Sequence, residues 1–228
     1  MVREKSTPFT KQLLTTLLFS TLVSVTLLVL RMIVAGNMRF WFMTWNLFLA
    51  WVPLLFALGL RINLSKKPLT NWQNLGLLAL WLGFLPNSFY LMSDLIHLQS
   101  SGEASVLYDV GMMMSFIING LILGYISVYI VHSQLLKHFK PRNVHIILGF
   151  VFLACGFATY LGRYLRWNTW DIFLNPAGIL FDLSERVINP ILHIQTYIVT
   201  FVFFVVLAST YAVIYQIIVL LNSNTRKQ

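Results

Sequence analysis

The protein has 228 residues, of which 58% are hydrophobic and only 10% are charged, and its mean hydropathy is +0.76. Because a soluble domain carries about 25% charged residues, this composition excludes a water-soluble fold and predicts a single membrane domain over residues 1–228. The formal charge of +9 does not indicate nucleic-acid binding, since the basic residues lie in short loops between apolar stretches rather than on one segment.

Apolar stretches of membrane-spanning length predict six transmembrane helices and an all-α polytopic fold. A hydrocarbon core about 30 Å thick requires roughly 20 residues of helix. The predicted spans are residues 12–34, 40–60, 70–94, 108–136, 143–165 and 195–221. The first stretch follows a basic head and therefore also resembles a signal peptide. Its length and the spans that follow favour a retained first helix.

The third span ends in the polar stretch LPNSFYLMSDLIHL. Helical spacing places Asn87, Tyr90, Asp94 and His97 on one face. Pro86 removes a backbone donor, so the helix is expected to kink or break there. Polar side chains beside a broken helix at a membrane boundary are typical of sites that meet ions, head groups or partner helices.

Asp94 and His97 are the candidate catalytic residues. A carboxylate one turn from an imidazole is an arrangement suited to acid–base chemistry. A lone charge near hydrocarbon costs a few kcal/mol, so Asp94 is also expected to pair with Arg163 or Arg166. Two ligands do not make a metal site, and Cys155 is the only cysteine. No metal and no other cofactor is predicted.

Small residues predict close helix packing in the fourth and fifth spans. Gly120 and Gly124 form a GxxxG arrangement, and Ala154, Ala158 and Gly162 repeat at the same spacing. Such faces let another helix approach closely, either within the chain or from a protein partner.

A second polar motif, YLGRYLRWNTWD, follows the fifth span. Arg163 and Arg166 are three residues apart, which predicts one helical face able to clamp an anion. Asn168 or Asp171 is placed to cap the helix end, and the two tryptophans of the motif suit a membrane interface.

Residues 176–188 are predicted to form an interfacial or re-entrant helix, introduced by Asn175 and Pro176 as N-cap and first helical residue. The segment is too charged to cross the membrane simply. Its pattern predicts one apolar and one polar face. The apolar positions are Ile179, Leu180, Leu183 and Val187, and the polar positions are Asp182, Glu185 and Arg186.

The basic residues predict that both termini lie in the cytoplasm. With this orientation eleven of the 16 Lys and Arg residues lie inside and five outside, as the positive-inside rule requires. Both polar motifs then lie at the outer face of the cell membrane. Any chemistry is expected there.

The two motifs resemble those of an uncharacterised bacterial integral-membrane family, domain of unknown function 1361. Its signatures are similar to PNxPYxxTDxxHL and YLGRxxRxNSWD. The matching residues are Pro86, Asn87, Tyr90, Asp94, His97 and Leu98, and then Tyr160, Leu161, Gly162, Arg163, Arg166, Asn168, Trp170 and Asp171. This chain departs from the pattern at Phe89, Ser93 and Thr169. The resemblance implies a membrane fold and brings no known activity.

The leading functional prediction is recognition or modification of an anionic lipid-linked or envelope molecule. The residues do not decide between binding and catalysis. Asp94 and His97 would move protons, and the predicted anion-binding residues are Asn87, Tyr90, Arg163, Arg166, Asn168 and Asp171. Membrane lipids are the expected partners. Two alternatives stay open: a transporter subunit or permease, and a non-catalytic scaffold or assembly factor.

Overall fold

The computed structural model describes residues 8–99 and 105–225, and no strand occurs among them. The helices are α1 (Pro8–Ala35), α2 (Phe42–Leu64), α3 (Trp72–Tyr90), α4 (Val106–Leu135), α5 (Pro141–Tyr164), α6 (Asp171–Leu174), α7 (Pro176–Ile188) and α8 (Ile194–Thr225). A 3₁₀ helix, Leu91–His97, extends α3. Four of the basic residues counted for the orientation lie outside the described part: Arg3, Lys5, Arg226 and Lys227.

Six of these helices are long and apolar enough to cross a membrane, which confirms the predicted all-α polytopic fold. They are α1, α2, α3 with its 3₁₀ extension, α4, α5 and α8, with mean hydropathy between 1.5 and 2.3. The third span reaches His97, three residues beyond its predicted end at 94. The two polar motifs therefore end up close together at the same end of the bundle.

Helix α4 contacts α1, α2, α3 and α5, and α3 packs against α2, α4 and α5. Helix α1 packs on α4, and α8 on α5. The ring of Phe89 in α3 is fully buried, and its centroid lies 5.3 Å from that of Tyr125 in α4 and 6.2 Å from that of Phe152 in α5. This aromatic contact joins three spans near the level where α3 ends.

The predicted close packing at the glycines of α4 is confirmed. A Cβ added to Gly120 would lie 2.5 Å from Leu91 Cδ1, and one added to Gly124 would lie 2.7 Å from Phe89 Cε1. Helix α3 and its extension therefore fit against α4 only because these positions carry no side chain.

Gly124→Leu is expected to destabilise the protein by about 1–3 kcal/mol, the usual cost of overpacking a tight contact. Gly111→Leu is the matched control on the same helix, because no atom lies within 4 Å of a Cβ added there. Melting temperatures of the two variants, measured in one detergent, check this. Equal melting temperatures would show that α3 does not depend on the glycine.

Helix α3 continues through Pro86 to Tyr90, so of the predicted kink or break at the proline the break does not occur. Side chains supply donors to carbonyl groups in the preceding turn: Asn87 Nδ2 donates to Phe84 O at 3.0 Å, and Thr169 Oγ1 donates to Gly83 O at 3.4 Å. These carbonyls follow that of Leu82, the group four residues before Pro86 that loses its backbone donor. The regular helix changes to 3₁₀ geometry only after Tyr90.

Helix α7 forms as predicted, with Asn175 Oδ1 accepting from the N–H of Gly178 at 3.1 Å. The polar and apolar residues of α7 do not lie on two opposite faces, as the sequence pattern predicted. Arg186 is buried against Tyr160, and Asp182 accepts from Trp167 Nε1 at 2.7 Å. The polar residues turn toward the bundle because their hydrogen-bond partners lie there.

The apolar residues of α7 do not share one face. Ile179 and Leu183 line an internal cavity, whereas Leu180 is 64% and Val187 74% exposed. An exposed apolar surface beside polar residues that turn inward suits contact with lipid.

Candidate functional site

A cavity of about 530 Å³ lies between α2, α3, α5 and the segment that leads into α7. Small-molecule sites typically occupy about 300–1,000 Å³. Six of the eight predicted site residues line it: Asn87, Tyr90, Asp94, His97, Arg163 and Asn168. The structure therefore brings together two motifs that are about 70 residues apart in the sequence.

An ion pair between Arg163 and Asp94 forms the polar wall of this cavity. Nη2 of Arg163 donates to Oδ1 of Asp94, and Asn46 Nδ2 donates to Oδ2 at 3.0 Å. The hydroxyl of Ser93 accepts from Nε and Nη2 of the same guanidinium, at 3.0 and 2.7 Å. Both carboxylate oxygens are engaged, so the charge of Asp94 is paired and hydrogen-bonded, as a buried charge must be.

The two charges of this pair differ in accessibility. The side chain of Asp94 has 0% of its surface exposed and that of Arg163 has 13%. The carboxylate therefore lies behind the guanidinium, and a molecule entering the cavity meets Arg163 first.

His97 binds Arg163 rather than Asp94. Nη1 of Arg163 donates to Nε2 of His97 at 2.8 Å, which requires an unprotonated Nε2 and therefore a neutral ring, because guanidinium nitrogens only donate. The ring packs edge-on against Phe42, with 5.1 Å between centroids. This differs from the predicted acid–base pair, since the guanidinium lies between the carboxylate and the imidazole.

Tyr90 supports the guanidinium from one side. The Arg163 carbon Cζ lies 4.4 Å from the centroid of the Tyr90 ring, a cation–π distance. The Tyr90 hydroxyl donates to Gly162 O at 3.4 Å, and a Cβ added to Gly162 would lie only 2.9 Å from the tyrosine ring. A glycine at this position is thus what allows Tyr90 to lie beneath Arg163.

Asn87 ties the second motif to α3. Its Nδ2 donates to Thr169 Oγ1 at 3.0 Å, and Thr169 in turn donates to α3 at Gly83. These two bonds hold the chain after α5 across the mouth of the cavity.

Arg166 lies beyond the end of α5, so the prediction that Arg163 and Arg166 share one helical face is wrong. Helix α5 ends at Tyr164, and Arg166 adopts a left-handed conformation with φ +60°. Leu161 O accepts from the N–H of Trp167 at 3.2 Å, which closes the turn. Arg166 is exposed and lies outside the cavity lining.

Asp171 also lies outside the cavity lining. Its Oδ2 accepts from the backbone N–H of Asn168 at 2.7 Å, and it is the first residue of α6. The predicted capping role therefore applies to the turn before α6, whereas the end of α5 is closed by its own backbone. Only Asn168 of this pair faces the cavity.

Sequence reasoning missed Asn46 and Ser93, the two neutral partners of the ion pair. Asn46 is a lone amide in an apolar span, and an intramembrane polar residue is a signal for a buried partner. Ser93 directly precedes Asp94 but lies off the predicted helical face. Its contribution depends on the 3₁₀ geometry of residues 91–97.

A second buried ion pair lies at the same end of the bundle. Arg31 Nε donates to Asp109 Oδ1 at 3.2 Å, and the two side chains are 0% and 2% exposed. The Arg31 guanidinium also lies 4.8 Å from the Phe40 ring centroid. The pair joins α1 to α4 outside the cavity. The signal in the sequence was one basic residue near the end of α1 and one acidic residue near the start of α4.

The described residues bring no group of three His, Cys, Asp or Glu side chains together as metal ligands. The polar wall is instead a chain of hydrogen bonds from Asn46 through Asp94 and Arg163 to His97. Such an arrangement can donate from Arg163 to an anionic group, and His97 can take up a proton at Nε2 once that nitrogen releases Arg163.

One family model matches the chain, over residues 45–210, and its description is "Protein of unknown function (DUF1361)". The matched range includes both polar motifs and every residue that lines the cavity except Phe42. No curated protein and no solved structure matches the chain.

Proposed function

The chain belongs to DUF1361, a family of proteins of unknown function, and from the geometry of its cavity we propose that this integral membrane protein recognises an anionic lipid-linked molecule. The observation that carries the proposal is the unequal exposure of the Arg163–Asp94 pair. The carboxylate is fully covered while the guanidinium keeps accessible surface. A ligand therefore meets a cationic donor, which favours phosphate or carboxylate groups.

The rest of the cavity supports an amphipathic ligand. Phe42 and Leu49 of α2, and Ile179 and Leu183 of α7, contribute apolar side chains to its lining. Ligand sites of this kind combine apolar walls with a few placed polar groups. The polar end of the ligand would meet Arg163 and its lipid chain would lie along α2 and α7.

The roles of the polar residues follow from their contacts. Arg163 would bind the anionic group, with Tyr90 beneath it and Asn87 keeping the mouth of the cavity in place. Asp94 would act as a positioning residue, since it has no exposed surface. If the ligand is also modified, His97 is the group that faces it and could transfer a proton.

The proposed location is the bacterial cytoplasmic membrane, with both termini in the cytoplasm. The excess of Lys and Arg on one side, eleven against five, supports this orientation. The cavity would then open at the outer leaflet, where an envelope lipid is available.

Binding of a soluble anionic lipid tests the proposal. Dioctanoyl phosphatidylglycerol is expected to raise the melting temperature of the purified protein in a neutral detergent, because a ligand that binds only the folded state stabilises it. Dioctanoyl phosphatidylcholine has the same chains and no net charge, so we expect a smaller rise with it.

Two glycines of α3 provide a matched pair of variants for this test. Gly83 lines the cavity and Gly76 does not, and no atom lies within 4 Å of a Cβ added at either position. Gly83→Leu is expected to remove the effect of phosphatidylglycerol, while Gly76→Leu keeps it. The proposal is wrong if both lipids stabilise equally or if Gly83→Leu changes nothing.

The same preparation also separates the alternatives. Solute flux in proteoliposomes without lipid binding would instead indicate a permease. A tightly co-purifying membrane protein, with no lipid effect, would indicate a scaffold. Against a permease, the buried charged residues Arg31, Asp94 and Asp109 all lie at one end of their spans, whereas transporters bind substrate near the midplane.

A further inference from the structure

A second cavity, of about 250 Å³, lies at the opposite end of the bundle between α4, α5 and α8. Its volume is close to the lower end of the range for small-molecule sites, about 300–1,000 Å³. The ring-bearing and amide residues of its lining are His132, His145, Phe152, Tyr211, Tyr215 and Gln216. None of its lining residues is Lys, Arg, Asp or Glu.

The cavity exists because α5 and α8 diverge. A Cβ added to Gly156 would lie 2.5 Å from Thr200 O in α8, so the helices touch there. Two turns earlier, a Cβ added to Gly149 would meet no atom within 4 Å. The space between the helices therefore widens toward His145 and Gln216, both of which are exposed.

His132 forms the inner wall of this cavity and is completely buried, at 0% exposure. Its Nδ1 lies 2.7 Å from the hydroxyl oxygen of Tyr211, which is itself buried. Nδ1 is the hydrogen-bond partner of the Tyr211 hydroxyl among the described residues, so we assign the hydroxyl as the donor and Nδ1 as the acceptor. A neutral imidazole then carries its proton on Nε2.

The Nε2–H group of His132 is consequently a buried donor that lacks an acceptor. No hydrogen-bond partner for Nε2 occurs among the residues that the structure describes. A buried donor without a partner costs about 1–3 kcal/mol. The cavity is much larger than the roughly 30 Å³ that one water occupies, and the acceptor oxygen of a ligand bound there would remove this cost. Because Nε2 itself has no accessible surface, the side chains around His132 must shift slightly to admit that oxygen.

The lining indicates the shape of that ligand. The His132 ring centroid lies 4.6 Å from that of Tyr215 and 5.4 Å from that of His145. Flat rings are well accommodated among aromatic side chains. Because the cavity lies between membrane-spanning helices and its lining has no charged side chain, the ligand would be uncharged and soluble in the bilayer.

We propose that this cavity binds a membrane quinone, an uncharged planar ring whose carbonyl oxygen accepts a hydrogen bond from His132 Nε2 and whose isoprenoid chain lies between α5 and α8. The site is separate from the cavity around Arg163 and does not depend on the function proposed for it. The proposal concerns binding alone.

Titration of the purified full-length protein with decylubiquinone tests the proposal, with decylbenzene as the analogue that lacks carbonyl groups. Saturable binding of the quinone is expected, with at least about tenfold weaker binding of decylbenzene, which corresponds to 1.4 kcal/mol. Equal affinities would overturn the role of His132, and absence of saturable quinone binding would overturn the site.

Gly149→Leu provides the matched variant, because it would fill the cavity without meeting an existing atom. We expect it to weaken quinone binding at least about tenfold while the melting temperature stays that of the unmodified protein. Gly111→Leu, which lies outside this cavity, should leave binding unchanged. Quinone binding that persists in Gly149→Leu would contradict the proposal. Displacement of the bound quinone by dioctanoyl phosphatidylcholine as readily as by further decylubiquinone would contradict it too.

Discussion

Arg31→Met is expected to lower the melting temperature of the purified protein by roughly 6–20 °C. The substitution leaves Asp109 buried without its cation, and breaking a buried ion pair costs about 3–5 kcal/mol. In a chain of this size each kcal/mol corresponds to about 2–4 °C. The double variant Arg31→Met/Asp109→Leu is expected to recover most of the loss, because an apolar pair of similar volume is often as stable as the ions.

Arg142→Met is the control for this measurement. Arg142 is exposed at the start of α5, and the same substitution there removes a solvated charge. Its stability is expected to stay within about 0.5 kcal/mol of that of the unmodified protein, so its melting temperature should change by no more than about 2 °C. If Arg31→Met behaves like Arg142→Met, the pair that joins α1 to α4 does not stabilise the fold.

Arg163→Met is expected to lower the free energy of unfolding as strongly as Arg31→Met, by about 3–5 kcal/mol. It leaves Asp94 with Asn46 as a hydrogen-bond donor and without a cation, at a position with no access to water. The loss is checked as melting temperature and as yield of monodisperse protein in detergent. Arg166→Met, on an exposed arginine outside the cavity, should change neither.

A neutral pair separates the structural role of Arg163 from its proposed role in binding. Arg163→Gln/Asp94→Asn removes both charges together, so no unpaired ion remains and most of the stability should return. Binding of dioctanoyl phosphatidylglycerol should stay lost, because no guanidinium meets the anionic group. Restored stability together with restored lipid binding would show that the ion pair serves the fold alone.

The two buried ion pairs resemble each other chemically but differ in whether a ligand can reach them. Arg31 and Asp109 are closed off among α1, α4 and Phe40. Arg163 and Asp94 border a cavity large enough for a ligand, and the arginine keeps some exposed surface. Desolvation makes both pairs costly to break, but only the second is placed to exchange part of its hydrogen bonding with a bound molecule.

The candidate site could be predicted from sequence in part. Asn87, Tyr90, Asp94 and His97 were found because a polar stripe in an apolar span is conspicuous and the helical period holds for α3. The 3₁₀ extension keeps the spacing of Asp94 and His97, since residues three apart align in a 3₁₀ helix. Their arrangement around the cavity therefore survived the change of helix type.

The predictions of side-chain direction that were wrong concern residues at the end of α5 and in α7. Arg166 was assigned to the face of Arg163, but α5 ends at Tyr164 and the chain then turns through a left-handed residue. The polar residues of α7 were expected to lie opposite one apolar face, but Asp182 binds Trp167 and Arg186 packs on Tyr160. In each case a contact or turn beyond the regular period of one helix decided the direction of the side chain.

Hydropathy and the distribution of basic residues are enough to predict an all-α membrane protein with six spans whose two polar motifs lie at the same end. Hydropathy is a property of about 20 consecutive residues, so it can be calculated without knowing how the helices pack. The packing of the helices is needed to see that Asp94 pairs with Arg163 and Arg31 with Asp109, that Asn46 completes the first pair, and that His132 lines a separate cavity. Those pairings join residues from different spans, and they depend on the helix ends and packing angles that no local pattern specifies.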